Sequence, residues 1–312
     1  MYFPILRGRQ FELIALRELI EKEIIGKNIL PIIEPVKPTA TLNTTLSAFR
    51  KAKADIAVIR NPRVGEFVSK LRSGDNEKII EKFYAELEQG AFISAFYIDD
   101  KDSIDGALLE KKGLKPEQCI AICSNKDSLN KYRRMFGETA PKYILIPDER
   151  SMRRAIKGNR VILDDKFDKK ERNTDYAIEV DTPFSEDHLY FEEENYAGFA
   201  DYSIVGAEYS ESGFAPYAVV IHIVYHDCEG ALRIHHFVSD SNDDISDPAG
   251  KFEEALGKFH EWNKKYKLDT VGAMTFEKLY EEQQYPGLGT VKKLSIMHHI
   301  ELMSKYLDGV CK

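Results

Sequence analysis

Asn28-Ile29-Leu30-Pro31-Ile32-Ile33-Glu34-Pro35 is a short apolar run that stops on a carboxylate and a proline. A run apolar at nearly every position, rather than at alternate ones, reads as a strand covered on both faces. The same pattern recurs along the chain. Tyr2–Leu6 ends on Arg7, Ile56–Ile59 on Arg60 and Asn61, and Phe92–Ile98 on Asp99 and Asp100. Ile120–Cys123 ends on Ser124 and Asn125, and Tyr143–Pro147 on Asp148. Val161–Leu163 ends on Asp164 and Asp165, and Tyr202–Val205 on Gly206. Eight such runs with helix-like stretches between them predict an α/β protein, a TIM-like (β/α)8 barrel whose polar residues collect at the C-terminal end of the strands. An open doubly wound sheet would also accommodate the first six.

The helices are legible by period. Leu13, Leu16, Ile20 and Ile24 form a stripe over Phe11–Ile25 that Gly26 would end. Asn76 is a candidate cap for a helix carrying Ile80, Phe83 and Leu87, and Ser124 or Asn125 for Leu129–Phe136. Glu149–Ile156 would be a short crossover, and the charged 166–172 and acidic 187–195 stretches a long connection. After Gly206 the pattern changes. Tyr217–Tyr225 and Ala231–Val238, joined by Asp227-Cys228-Glu229-Gly230, predict a β-hairpin inserted after the eighth strand. Phe252, Ala255, Leu256, Phe259 and Trp262 then mark an amphipathic helix, and 291–307 a final one. The expected organisation is a single domain, with βα units over 1–206, the hairpin over 207–248 and a C-terminal helical extension over 249–312.

The 312 residues are ample for a core, and their apolar and charged fractions are those of a water-soluble protein. No apolar run is long enough to span a bilayer, and Arg7 and Arg9 interrupt the opening, so a cytoplasmic protein with no membrane partner is expected. The four cysteines have neither disulfide nor zinc spacing, although Cys123 near a strand end could serve as a nucleophile. Residues 1–160 carry a net charge of +7 and 161–312 a net of −15. The mildly basic half suits an anionic ligand or a mixed surface equally, and no basic stripe with interleaved aromatics argues for nucleic acid.

Arg7, Arg9, Glu34, Arg60, Asp99, Asp148, Asp164 and Asp165 are the strand-end set. In a barrel they would converge from separate parts of the chain. Carboxylates at Glu34, Asp99 and Asp164 could hold Mg²⁺ or Mn²⁺ or act as acid and base. Arg7, Arg9 and Arg60 could clamp a phosphate or carboxylate bidentately. Together they suggest metal-assisted phosphoester hydrolysis. Individually, Asp148 or Ser124 could simply cap the following helix. Arg7-Gly8-Arg9 ahead of a helix is a plausible anion cradle, with Glu12 near the helix's positive end, or a local salt-bridged turn. Counting back from the 227–230 turn pairs His222 with His235 and sends His236 to the other face; two imidazoles alone are half a zinc site. Gly287-Leu288-Gly289-Thr290 lacks the context of a phosphate loop, and His298 with Glu301 lacks the repeated di-iron pattern.

Tyr2-Phe3-Pro4-Ile5-Leu6-Arg7-Gly8-Arg9-Gln10-Phe11-Glu12-Leu13, followed by Ile14-Ala15-Leu16, resembles the start of the bacterial and phage "beta family" proteins. Leu30-Pro31-Ile32-Ile33-Glu34-Pro35 is similar to that family's next block, and Gly198-Phe199-Ala200-Asp201-Tyr202 and the His222 and His235-His236-Phe237 strands look similar too. The resemblance implies a barrel-like fold, a phage or mobile-element setting, and a shared pattern that includes Arg7, Arg9, Glu12, Glu34 and Asp201. It implies no activity. The alternative to an enzyme is then a non-enzymatic protein-interaction component of a phage-defence or mobile-element system. In that account the hairpin offers an exposed edge to a protein partner.

Overall fold

Eight parallel strands close on themselves in the order β1 (Tyr2–Leu6), β2 (Ile32–Ile33), β3 (Ala57–Ile59), β4 (Ile93–Tyr97), β5 (Cys119–Ile122), β6 (Tyr143–Ile146), β7 (Arg160–Leu163) and β9 (Gly198–Asp201), the last pairing back with β1. This is the expected (β/α)8 barrel, seen in a computed structural model that describes residues 1–99, 109, 113–137, 139–210 and 216–310. Asp100 and Cys311 lie outside the described residues. Among the described residues no helix is long and apolar enough to cross a membrane.

Seven of the runs predicted from sequence become barrel strands at or near their expected positions. Pro31 shortens the second: it has no N–H, yet Leu30 N–H still reaches Tyr2 O at 2.9 Å and Pro31 O accepts from Ala57 N–H at 2.8 Å. The eighth strand differs from expectation. It is Gly198–Asp201, not Tyr202–Val205, because Ser203 turns left-handed at φ 51° and ends the extended backbone. Gly198 admits the close pairing with β1, since a Cβ there would sit 2.2 Å from Met1 O.

Helices α1 (Gln10–Glu21), α2 (Ala40–Ala52), α3 (Phe67–Ser73) and α4 (Glu77–Gln89) follow the first three strands, and Ser128–Phe136 and Arg150–Ala155 follow β5 and β6. α1 stops short of the predicted Ile25, where Glu23 at φ 59° reverses the chain. α2 is capped by Thr39, whose Oγ1 accepts from Leu42 N–H at 3.1 Å. Asn76 precedes α4 in a left-handed conformation without capping it through its side chain.

The chain divides into two compact units, the barrel of residues 1–13, 27–165 and 187–202, and a second unit of 14–26, 166–186 and 203–312. The second unit contains a three-stranded antiparallel sheet, ordered β10 (Val220–His226), β11 (Leu232–Val238), β8 (Asp181–Ser185). The hairpin is where the sequence predicts it, but β8 occupies the outer edge of β11, so that edge is not open for docking. β8 was hidden in the long connection because Asp-Thr-Pro-Phe-Ser is barely apolar; Pro183 is tolerated on an edge strand. Helices Pro248–Tyr266, Val271–Glu282 and Leu288–Leu307 complete the unit, with Phe252, Ala255, Leu256 and Phe259 buried as their spacing predicts. The middle helix is not apparent in the sequence pattern.

Candidate functional site

Register decides which strand-end residues enter the barrel. Phe3 of β1 meets Tyr143 of β6 at 4.9 Å between ring centroids, and these strands are not neighbours. The face carrying Phe3, Ile5 and Arg7 is therefore the lumen. Parallel partners share a face, so Ile5 and Ile32, Ile32 and Ala57, and Ile59 and Ala95 carry the assignment around the sheet. Stepping by two from these positions leads to Glu34, Asn61, Tyr97 and Asp99. The same step leads to Asp165 and Tyr202 through Leu163 and its partner Ala200.

At the lumen's C-terminal end, Glu34 is fully buried. Its Oε2 accepts from Arg7 Nη1 and from the Tyr97 hydroxyl at 2.8 Å, while Oε1 accepts from Arg63 N–H at 2.7 Å. Arg7 also donates to the Tyr97 hydroxyl at 3.3 Å and lies 4.9 Å above the centre of the Tyr202 ring. Burial works against the charge of Arg7, but the oxygens of Tyr97, Glu34 and Tyr202 outweigh it and hold the guanidinium above its ordinary value. Burial, reinforced by Glu34, pushes the Tyr97 phenol well up, so Tyr97 remains a donor at neutral pH.

Two glycines let these loops close. Gly8, at φ 62°, lies where a Cβ would be 2.8 Å from Glu34 O. Gly65, at φ 74°, lies where one would be 2.5 Å from Val36 O. The second contact holds the loop carrying Arg63, and Glu66 N–H bonds Val36 O at 2.8 Å beside it. The Arg63 guanidinium lies 4.5 Å over the Tyr97 ring and 3.7 Å from Asp99 Oδ2, with its side chain 34% exposed. Asn61 fixes Tyr97 from below: Nδ2 donates to Tyr97 O at 2.8 Å and Oδ1 accepts Tyr97 N–H at 2.9 Å.

The expected site residues separate into two groups. Arg7, Glu34 and Asp99 share the lumen end with Arg63, Tyr97 and Tyr202, which the sequence reading did not select. Arg60 is of the opposite parity. Its charge interacts with Tyr84 of α4 and Cys119, and burial pulls it below the ordinary arginine value. Asp164 is likewise one step out of phase, leaving Asp165 on the lumen side; both aspartates are exposed, and Tyr202 feels the charge of Asp165. Arg9 is half-buried at the start of α1, where its carbonyl accepts Leu13 N–H at 2.9 Å. Asp148 accepts from Arg153 and from the Tyr196 hydroxyl at 2.6 Å, and Asp201 accepts from the Tyr2 hydroxyl at 2.7 Å. A parity count within each run would have separated Asn61 from Arg60 and Asp165 from Asp164.

Among the described residues, no group of three or more His, Cys, Asp or Glu could hold a metal ion. Burial pushes the Cys123 thiol up to about 12, which keeps it protonated and unsuited to nucleophilic attack. In the second unit His222 pairs with His236, not His235, with the two Nδ1 atoms 2.8 Å apart. The turn includes Ala231, whose carbonyl accepts Asp227 N–H, so the register moves by one residue and exchanges the faces of the two histidines. No protein-family model matches the chain, and no curated protein matches it.

Proposed function

We propose that the C-terminal end of the barrel binds an anionic, phosphate-containing small molecule. The observation that carries this reading is the Arg63 guanidinium, 4.5 Å over the Tyr97 ring and beside Asp99, while its backbone N–H serves Glu34. A planar guanidinium stacked on an aromatic ring is preorganised for bidentate contact with phosphate oxygens. Arg7 supplies a second, deeper positive charge, and the buried Glu34 fixes it in place. Mg²⁺ is usually bound through one or two carboxylates together with substrate phosphates. A Mg²⁺ or Mn²⁺ ion arriving with the ligand would find Asp99 and Asp165 as its carboxylates, and phosphoester hydrolysis is the activity such a pairing supports. The interaction-component reading has less to rest on, since β8 covers one edge of the hairpin.

Thermal-shift titration with inorganic phosphate, nucleotides and sugar phosphates, each with and without Mg²⁺ or Mn²⁺, tests this proposal. A ligand at about 100 times its Kd stabilises the native state by about 2.7 kcal/mol. One phosphate class should raise the melting point, and Arg63→Ala should remove that shift while the unliganded protein still melts cooperatively. A flat titration, or a shift that survives in Arg63→Ala, rejects the site.

A further inference from the structure

The second unit holds a carboxylate–imidazole pair with the construction of an acid–base site. Asp181 and His235 are directly opposed across the β8–β11 ladder, and Asp181 Oδ2 lies 2.8 Å from His235 Nδ1. The same carboxylate accepts from the Tyr225 hydroxyl at 2.8 Å and from Arg233 Nε at 2.6 Å, so its orientation is fixed from three sides. With an ionised Asp181 as acceptor, Nδ1 carries the ring proton and Nε2 keeps the lone pair. Phe237 and Trp262 confine the ring, with centroids 4.4 and 5.3 Å away.

His235 is part of the wall of a cavity of about 420 Å³, with Val180, Phe237, Trp262, Asp240 and Lys258 also lining it. Most of this wall is apolar, and Val180, which lines it, is 41% exposed. Lys258 is held by Val238 O and Asp240 Oδ1, each 2.6 Å from Nζ. One cavity therefore combines a basic nitrogen of fixed tautomer, an ammonium group and an apolar surface.

We propose that His235, positioned by Asp181, is the general base of a hydrolytic site for small carboxylic esters with an apolar acyl group. Water is the co-reactant. Its oxygen bonds to the ester carbonyl carbon as Nε2 takes a proton, and the carbonyl π pair moves onto oxygen near the Lys258 charge. The tetrahedral species then expels the alkoxide, which takes the proton back from Nε2. The products are a carboxylic acid, which releases its proton to solvent, and an alcohol; nothing is oxidised or reduced. Asp181 is a positioning residue, since it acts through the imidazole.

Burial holds the His235 imidazole below its ordinary value, and Asp181 opposes that shift, so the base is neutral at pH 7. The charged and titratable groups around it are Asp181 on β8, Tyr225 on β10, Arg233 and His236 on β11, Asp240 just after β11, and Lys258 and Tyr266 on the helix Pro248–Tyr266.

The test is hydrolysis of p-nitrophenyl acetate and butyrate by the full chain, corrected for buffer. His235→Gln should lower kcat/KM by about 100-fold or more. The wild-type profile should rise through one deprotonation below pH 6.5. Asp181→Asn should lower kcat/KM and move that inflection to lower pH, which a merely structural aspartate would not do. Should His235→Gln fail to fold, diethylpyrocarbonate on the native protein replaces it, and loss of activity should track carbethoxylation located at His235. A wild-type rate no faster than buffer, a flat pH profile, or full activity after His235 is modified or replaced overturns the proposal.

Discussion

Glu34 accepts from two side chains and one backbone N–H inside the barrel, and such a group is stable only while every partner is present. Glu34→Gln would leave the Arg7 charge buried without its counter-charge. Removing one partner of a buried pair costs about 3–5 kcal/mol, so the urea midpoint should fall accordingly. Adding Arg7→Met to Glu34→Gln should recover part of the loss, because both charges are then gone. An unchanged midpoint in the single variant would mean that water reaches the pair. Of the strand-end residues, Arg7, Glu34 and Asp99 could be selected from sequence because each ends an apolar run, and in the barrel all three fall on the lumen parity. Arg60 and Asp164 also end apolar runs, but on the outward parity. Only closure of the barrel reveals which parity is inward.

At the level of the element, Asn61 extends the pairing of β3 with β4 beyond the end of the strand, using its side-chain amide in place of a peptide group. Asn61→Ala leaves Tyr97 N–H and C=O without these partners. At about 1–3 kcal/mol for each group left unsatisfied, the two together should cost at least about 2 kcal/mol in urea denaturation. Phosphate binding should weaken with it, since Tyr97 carries Arg63; full binding in a destabilised Asn61→Ala would separate the two roles. In the second unit, His298 joins two helices to the sheet. Its Nδ1 lies 2.6 Å from Thr270 Oγ1 and its Nε2 2.6 Å from Val224 O; the carbonyl can only accept, so Nε2 carries a proton, and in the neutral ring the Thr270 hydroxyl donates to Nδ1. Burial lowers it from 6.5 to about 4, with Lys305 and His226 acting in the same direction and Val224 O and Asp269 opposing.

Across the whole molecule, seven of the eight histidines fall in the second unit, and His222, His226, His235, His236 and His298 all lie below their ordinary value, chiefly through burial. A histidine depressed in the fold binds its proton more readily when unfolded. Its contribution is complete above about pH 6.5 and drains away as the pH falls towards the folded value. For His298 that amounts to about 3 kcal/mol at 1.36 kcal/mol per unit. Hydrogen exchange corrected for intrinsic rates should therefore lose protection at 220–238 and 288–307 between pH 7 and pH 5, before the barrel strands do. His298→Gln should be weaker at pH 7 but lose less on acidification. Equal acid loss in both units would place the titrating groups elsewhere.

The sequence by itself determined where seven of the barrel strands lie and that their polar residues gather at one end; closure into a barrel rather than an open sheet was left to the tertiary structure. Those features come from local burial: a short run apolar on both faces favours an inner strand, and its first polar residue marks the end, although Tyr202–Val205 has the same pattern and is not a strand. The tertiary structure alone decided the rest. Gly198–Asp201 became the eighth strand because β1 pairs there and Ser203 turns away. Asp181–Ser185 became a strand because β11 offered an edge, and that pairing brought Asp181 to His235. A one-residue register shift put His236 rather than His235 opposite His222. Each of these depends on which backbone lies alongside, and strand pairing reverses faces with every residue of slip.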